Sequence, residues 1–160
     1  MKSATKIGLF AGLVTVLMSL AIYYWAGNFE SQWQIVVYGF YCGSVMFAQH
    51  KLQQSSGVAS FKELFTEGFR TFVVVTLIMV AFTWIFLKTN PDLQKEILED
   101  YRKTMVAEGN RTMEQIQTEL ELAKEKYLTF FTSLAIFGYL IIGSLAALIG
   151  GIFFSSRNNK

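Results

Sequence analysis

Four stretches of this 160-residue chain, residues 7–29, 31–49, 71–87 and 127–156, contain no Asp, Glu, Lys or Arg. A helix on the surface of a soluble protein keeps a polar face, and these segments have none. Each is close to the about 20 apolar residues a helix needs to cross roughly 30 Å of hydrocarbon. Runs such as VVVTLIMVAF lack the in–out alternation of a membrane β-strand. The pattern predicts an all-α polytopic membrane protein with four transmembrane helices, at about residues 6–26, 33–49, 71–87 and 128–154. All 14 basic and 12 acidic residues fall in the segments between and around these stretches. So even a balance lacks the basic footprint of a nucleic-acid binder, and no nucleic-acid partner is expected.

The first apolar run is longer than the about 7–15 residues of a signal-peptide core. Tyr24, two before Ala26, stands where a cleavage site needs a small side chain. The run therefore reads as an uncleaved membrane helix. Cys42 is the only cysteine and lies in the second stretch. It reads as a small buried apolar residue, with no intrachain disulfide available.

Gly27-Asn28 breaks the first helix, and so short a loop makes the first two helices antiparallel neighbours. Residues 53–60, QQSSGVAS, read as a turn. Ser60-Phe61-Lys62-Glu63 then forms a capping-box pattern, in which the Ser hydroxyl and the Glu carboxylate satisfy each other's backbone amides. Phe61, Leu64, Phe65, Gly68, Phe69 and Phe72 follow at helical spacing, so residues 60–70 read as an amphipathic interfacial helix leading into the third span.

Residues 91–126 predict a helical hairpin outside the bilayer, between spans three and four. Asn90-Pro91-Asp92 is a helix start: Asn can cap, Pro suits the first turn, and Asp favours the positive helix end. Leu93, Ile97, Tyr101 and Met105 recur every four residues along one face. Gly109-Asn110 ends that helix, and Thr112-Met113-Glu114-Gln115 is a second capping box. Ile116, Leu120, Ala123 and Tyr127 follow at coiled-coil-like spacing. The two stripes are expected to face each other, and Leu93, Ile97, Tyr101, Met105, Ile116 and Leu120 are the candidate partner or hairpin surface. No Gly or Pro between Thr112 and Phe137 breaks the second helix, which can run on into the last span.

Four spans place both termini on one side. That side carries seven basic residues against Glu63 and Glu67; the other carries seven basic residues against ten acidic ones. The Lys and Arg counts tie, but those on the terminal side crowd span ends, whereas Lys95, Arg102, Lys103 and Arg111 lie mid-hairpin. The reading favours cytoplasmic termini. Trp25, Trp33, Trp84 and Tyr127 all fall on the hairpin side, as one aromatic belt.

No catalytic set, metal-ligand cluster or phosphate-binding loop is visible, so neither enzyme activity nor a cofactor is expected. His50, the single histidine, reads as an interfacial residue. The spans hold hydroxyls but no Asp, Glu, Lys or Arg, which disfavours an ion-coupled carrier. Small residues are more telling. Gly8 and Gly12, Gly39 and Gly43, and Gly143, Ala147 and Gly151 recur four apart. That spacing lets helices approach closely in lipid, within the chain or between copies.

Ser60-Phe61-Lys62-Glu63-Leu64-Phe65-Thr66-Glu67-Gly68-Phe69-Arg70-Thr71 resembles the S-F-x-x-x-F-x-x-G-F-[RK]-T stretch of an uncharacterised family of small four-helix bacterial membrane proteins, a domain of unknown function. The resemblance continues through Asn90-Pro91, a charged helical insert with Met113-Glu114-Gln115-Ile116, and a Gly-rich last span from Gly138 to Gly151. It covers about residues 3–155. It implies four spans and a Gram-negative inner-membrane location, and it supplies no activity, substrate or catalytic residue. The sequence thus reads as a non-enzymatic accessory, assembly or scaffold protein whose partners are the lipid bilayer and a second copy or a larger membrane protein. The alternative is a small oligomeric transporter or channel.

Overall fold

The structure, a computed structural model, describes residues 3–26 and 33–156. It is all-α: α1 (Ser3–Ala26), α2 (Gln34–Ser56), α3 (Phe61–Thr89), α4 (Pro91–Glu108) and α5 (Met113–Ser156). Among the described residues, three helical segments, Ser3–Trp25, Phe61–Thr89 and Met113–Ser156, are long and apolar enough to cross a membrane. The sequence reading had four. In α2 the apolar run is confined to Ile35–Ala48, and Gln49, His50, Lys51, Gln53 and Gln54 occupy the turns that follow.

Both capping boxes form. The Ser60 amide donates to Glu63 Oε2 at 2.8 Å, and the Glu63 amide returns to Ser60 Oγ at 3.3 Å. The Thr112 amide donates to Gln115 Oε1 at 2.9 Å, and the Gln115 amide to Thr112 Oγ1 at 3.3 Å. Asn90 does not cap. Its Nδ2 donates backwards, to the Phe86 carbonyl at 2.8 Å and to Thr89 Oγ1 at 3.2 Å. It thereby satisfies the end of α3 rather than the start of α4, where Pro91 lacks an amide hydrogen in any case. Gly109 closes α4 at φ 66°, a left-handed turn that a Cβ disfavours.

Two expected breaks are absent. Helix α2 continues through Gln53–Ser56, and the turn contracts to the residues around Gly57 (φ 70°). Gln53 Nε2 donates to the Phe154 carbonyl at 2.8 Å, so the extra turn is anchored on α5. The amphipathic 60–70 stretch and the third apolar run are one helix, α3.

The chain divides into two compact units. Unit 1 comprises the chain up to Val80 and from Ile136, and unit 2 comprises Ala81–Ala135. In unit 1, α1 buries Ala4, Gly8, Ala11, Gly12, Thr15 and Ser19 and exposes Phe10, Leu13 and Leu17. Small and hydroxyl side chains thus face the neighbouring helices while large apolar ones face outward. This is the distribution of a bundle whose solvent is as apolar as its core. Larger residues fill the centre from α2 (Val37, Tyr41, Val45) and α3 (Leu64, Phe72, Val75, Met79). At one end, Ala59, Leu64 and Phe154 form a cluster joined by Met46 and Leu52.

In unit 2, Met105 of α4 and Ile116 in the first part of α5 are buried. Gln94 Nε2 donates to the Lys124 carbonyl at 2.9 Å. Arg111 pairs with Glu108 and, at 3.2 Å through Nε, with Glu119. Glu108, the larger cause, and the charge of Glu119 hold the Arg111 guanidinium above its ordinary range. Lys88 lies over the Trp84 ring at 4.8 Å.

Candidate functional site

In unit 1 the predicted packing residues separate into two groups. A Cβ placed on Gly8 would lie 2.9 Å from the Thr71 carbonyl oxygen and from Val74 Cβ. One on Gly12 would meet Ile78, one on Gly143 would lie 2.8 Å from the Phe72 ring beneath the Tyr41 hydroxyl, and one on Gly151 would lie 3.0 Å from the Phe61 ring. At Gly8, Gly12 and Gly143 real Cβ atoms do not approach so closely, and at Gly151 the fit would be tight, so these four glycines are seats for neighbouring side chains and backbone. Ala147 is fully buried. Gly39 and Gly43 behave differently. Among the described residues nothing lies within 4 Å of where their Cβ atoms would stand, so they pack against no described part of the chain.

Sequence reasoning missed two further glycine seats, Gly68 and Gly150, and the residue that fills them. Gln49 is fully buried on α2. Its Nε2 donates to the Ala147 carbonyl at 2.7 Å and to the Leu64 carbonyl at 3.2 Å, tying α2 to α5 and α3. A Cβ at Gly68 would press on this amide nitrogen at 2.6 Å, and one at Gly150 would strike Oε1. Gln49 Oε1 is buried with no hydrogen-bond partner among the described residues. It faces the Gly150 backbone, where only glycine leaves room. Tyr41 makes the same three-helix tie nearer the middle of the bundle. Its hydroxyl donates to the Tyr139 carbonyl at 3.0 Å and lies 3.2 Å from Thr76 Oγ1.

Glu67 is the third missed residue. Although it belongs to the charged lead-in of α3, it is 8% exposed, and its Oε1 accepts from the Ala4 amide at 2.9 Å. A carboxylate is thereby set at the positive end of α1, satisfying one of the amides that a helix start leaves open. Its signal was present in the helical spacing of Leu64, Glu67, Gly68 and Thr71, which puts Glu67 on the buried face.

In unit 2 the predicted stripe is only partly shared. Met105 and Ile116 are buried, and Leu93, Leu120 and Ala123 are half-buried. Ile97 and Tyr101 are exposed. They line a groove of about 480 Å³ with Leu98, Leu122, Tyr127 and Phe131, so these two lie beside the contact between α4 and α5 rather than in it. The inward positions of α4 are Leu93, Gln94, Leu98 and Met105. The rotation follows from Gln94 donating across to Lys124, a polar bond that no apolar periodicity reveals.

The chain belongs to the family described as Protein of unknown function (DUF4199), whose model matches residues 6–156. No curated protein and no solved structure matches it.

Proposed function

We propose that this member of the family is a non-enzymatic integral protein of a bacterial inner membrane, an accessory, assembly or scaffold protein that acts through helix contacts. In this reading α2 is the fourth span, residues 91–126 form a helical hairpin outside the bilayer, and both termini are cytoplasmic. The outer face of α2 carries the reading. Val36, Gly39, Gly43 and Phe47 follow one another at spacings of three, four and four, and all are exposed. Two glycines with open space above them make a dent in an apolar ridge, where a helix of another protein can approach to backbone contact. The other predicted glycines in unit 1 are already filled from within the chain.

An oligomeric channel is the weaker reading. Thr15, Ser44, Thr71 and Ser144 each donate to a carbonyl of their own helix. Tyr41 and Gln49 donate to carbonyls of neighbouring helices. These polar groups are committed to structure.

Two experiments test the proposal. With Cys42 replaced by Ala, a membrane-impermeant thiol reagent should label Glu108→Cys on outer-membrane-permeabilised cells and leave Ser156→Cys unlabelled until the inner membrane is opened. The reverse pattern would invert the orientation. Gly43→Leu should leave the melting temperature in detergent unchanged and abolish co-purification of a defined larger membrane protein. Equal recovery of that protein with the variant would exclude this face as the contact.

A further inference from the structure

The turn that joins α4 to α5 carries a motif that the contact reading does not use. Glu108-Gly109-Asn110-Arg111-Thr112 contains Asn-x-Thr with x other than proline, the acceptor pattern for asparagine-linked glycosylation. The pattern occurs once in the chain. Asn28, Asn90, Asn158 and Asn159 have no Ser or Thr two residues on.

The fold puts this motif where a transferase can reach it. In unit 2 only Asn90 and residues 109–112 are non-helical. In a helix, side chains two residues apart point away from each other, whereas in an extended segment they share one face. Drawn out, residues 108–112 present a carboxylate, an amide and a hydroxyl on one face, at two-residue intervals. Gly109, at φ 66°, has already left the helix, and Asn110 and Thr112 are exposed. Along α4, 18 residues set the turn about 27 Å from Pro91 and the end of the apolar run of α3. A headgroup layer is only about 5–8 Å deep.

The reacting atom is free. Asn110 Oδ1 accepts from Arg111 Nη1 at 3.2 Å, while Nδ2 makes no hydrogen bond among the described residues. Thr112 Oγ1 accepts from the Gln115 amide at 3.3 Å, and its own proton goes to no described residue. Glu108 is held by Arg111 in a surface pair, which opens at little cost. We propose that Asn110 is an acceptor for asparagine-linked glycosylation on the outer side of the membrane, an inference that rests on the orientation proposed above. The donor is an oligosaccharide on a polyprenyl pyrophosphate, carried by the same bilayer. Asn110 Nδ2 bonds to the anomeric carbon as the bond from that carbon to the pyrophosphate oxygen breaks. The lipid pyrophosphate leaves with the electron pair, and Nδ2 gives one proton to a base of the transferase. The glycan adds a bulky, solubilising group to a tip where Val106 and Met113 are exposed.

The test takes the full chain from its own membranes and measures the mass of the peptide 104–111. That peptide should carry an oligosaccharide on Asn110. Asn110→Gln and Thr112→Ala should abolish the added mass, and Thr112→Ser should retain it. Glu108→Gln should lower occupancy at least fivefold. Circular dichroism should show unchanged helix content in each variant. Three results would overturn the proposal: a native peptide of unmodified mass, an added mass that persists in Asn110→Gln, or one that persists undiminished in Thr112→Ala. The thiol label at residue 108 tells this failure from a failure of the orientation. Glu108→Cys labelled from outside, with Asn110 bare in the native chain, refutes glycosylation alone. Glu108→Cys protected until the inner membrane is opened refutes both.

Discussion

Helix α1 of unit 1 and the helices of unit 2 bury opposite kinds of residue. In unit 1 the inward face of α1 is Ala4, Gly8, Ala11, Gly12, Thr15 and Ser19, with Phe10, Leu13 and Leu17 outward. In unit 2, Met105 of α4 and Ile116 of α5 are buried, while the outward faces carry ion pairs such as Lys95–Asp92 and Lys103–Asp100. The helices obey the same geometry in both; what differs is the medium each set of outward residues implies. Where lipid is the solvent, burial of apolar surface gives little reason to associate, and close backbone approach with buried hydrogen bonds takes over. Where water is the solvent, large apolar side chains turn inward and helix ends need caps.

The largest expected effect breaks this comparison at the glycines. Gly143→Leu drives a branched side chain into Phe72 and Tyr41, and the bundle should lose about 3 kcal/mol or more. Gly39→Leu meets open space and should change stability by less than about 0.5 kcal/mol. Thermal unfolding in detergent distinguishes them. Equal losses would mean that α2 packs against something in the bundle through its outer face.

The next effect contrasts two positions of the same stripe in unit 2. Met105→Ala should cost about 2–3 kcal/mol, because loss of the buried thioether chain leaves a cavity. Ile97→Ala, at an exposed position, should cost less than about 0.5 kcal/mol. Hydrogen exchange across residues 91–108 reads both. A large effect at Ile97 would show that the symmetric zipper expected from spacing alone is the correct one.

Spacing alone carried the architecture a long way. Charge-free runs located the apolar helices, and the S/T-x-x-E/Q patterns marked the starts of α3 and α5 to the residue. The uninterrupted 113–137 segment announced the length of α5. What escaped was everything that depends on a partner distant in sequence. Gln49 reads as the polar end of an apolar run; only Gly68 and Gly150, 19 and 101 residues away, reveal it as buried. Gly39-x-x-x-Gly43 looks the same as Gly8-x-x-x-Gly12, and no local signal says which pair is covered. The face of α4 shifted for the same reason, since Gln94 chose its acceptor on α5.

A smaller effect tests whether water-side capping matters as unit 2 implies. Thr112→Ala removes the oxygen that accepts from the Gln115 amide and should cost about 1 kcal/mol. The loss should appear as fraying of the first turn of α5 in amide exchange, with unit 1 unchanged. Thr112→Ser keeps the oxygen and should restore protection. Failure of Ser to rescue would assign the effect to the lost methyl group instead.

The smallest expected effect is electrostatic, and its sign follows from one contact. Asp92 Oδ1 accepts from Lys95 Nζ at 2.8 Å in the first turn of α4. That hydrogen bond, and then the Lys95 charge, hold the carboxyl below its ordinary range. A carboxylate whose value is depressed by folding stabilises the folded state at all pH above its unfolded value, about 3.9. The contribution fades as pH falls through the lower folded value. Both side chains are largely exposed, so salt screens the pair and the effect is slight. Amide protection of residues 93–96 should therefore hold constant from neutrality to about pH 4 and decline below it. In Asp92→Asn that decline should be absent, because no group at this position gains a proton. Unit 1 provides the internal control: it contains neither member of the pair, so its amide protection should follow the same course in wild type and in Asp92→Asn. If wild type and Asp92→Asn lose protection in α4 together, the acid sensitivity of this turn comes from elsewhere in the charged unit, and the Asp92–Lys95 pair contributes nothing measurable to the helix start.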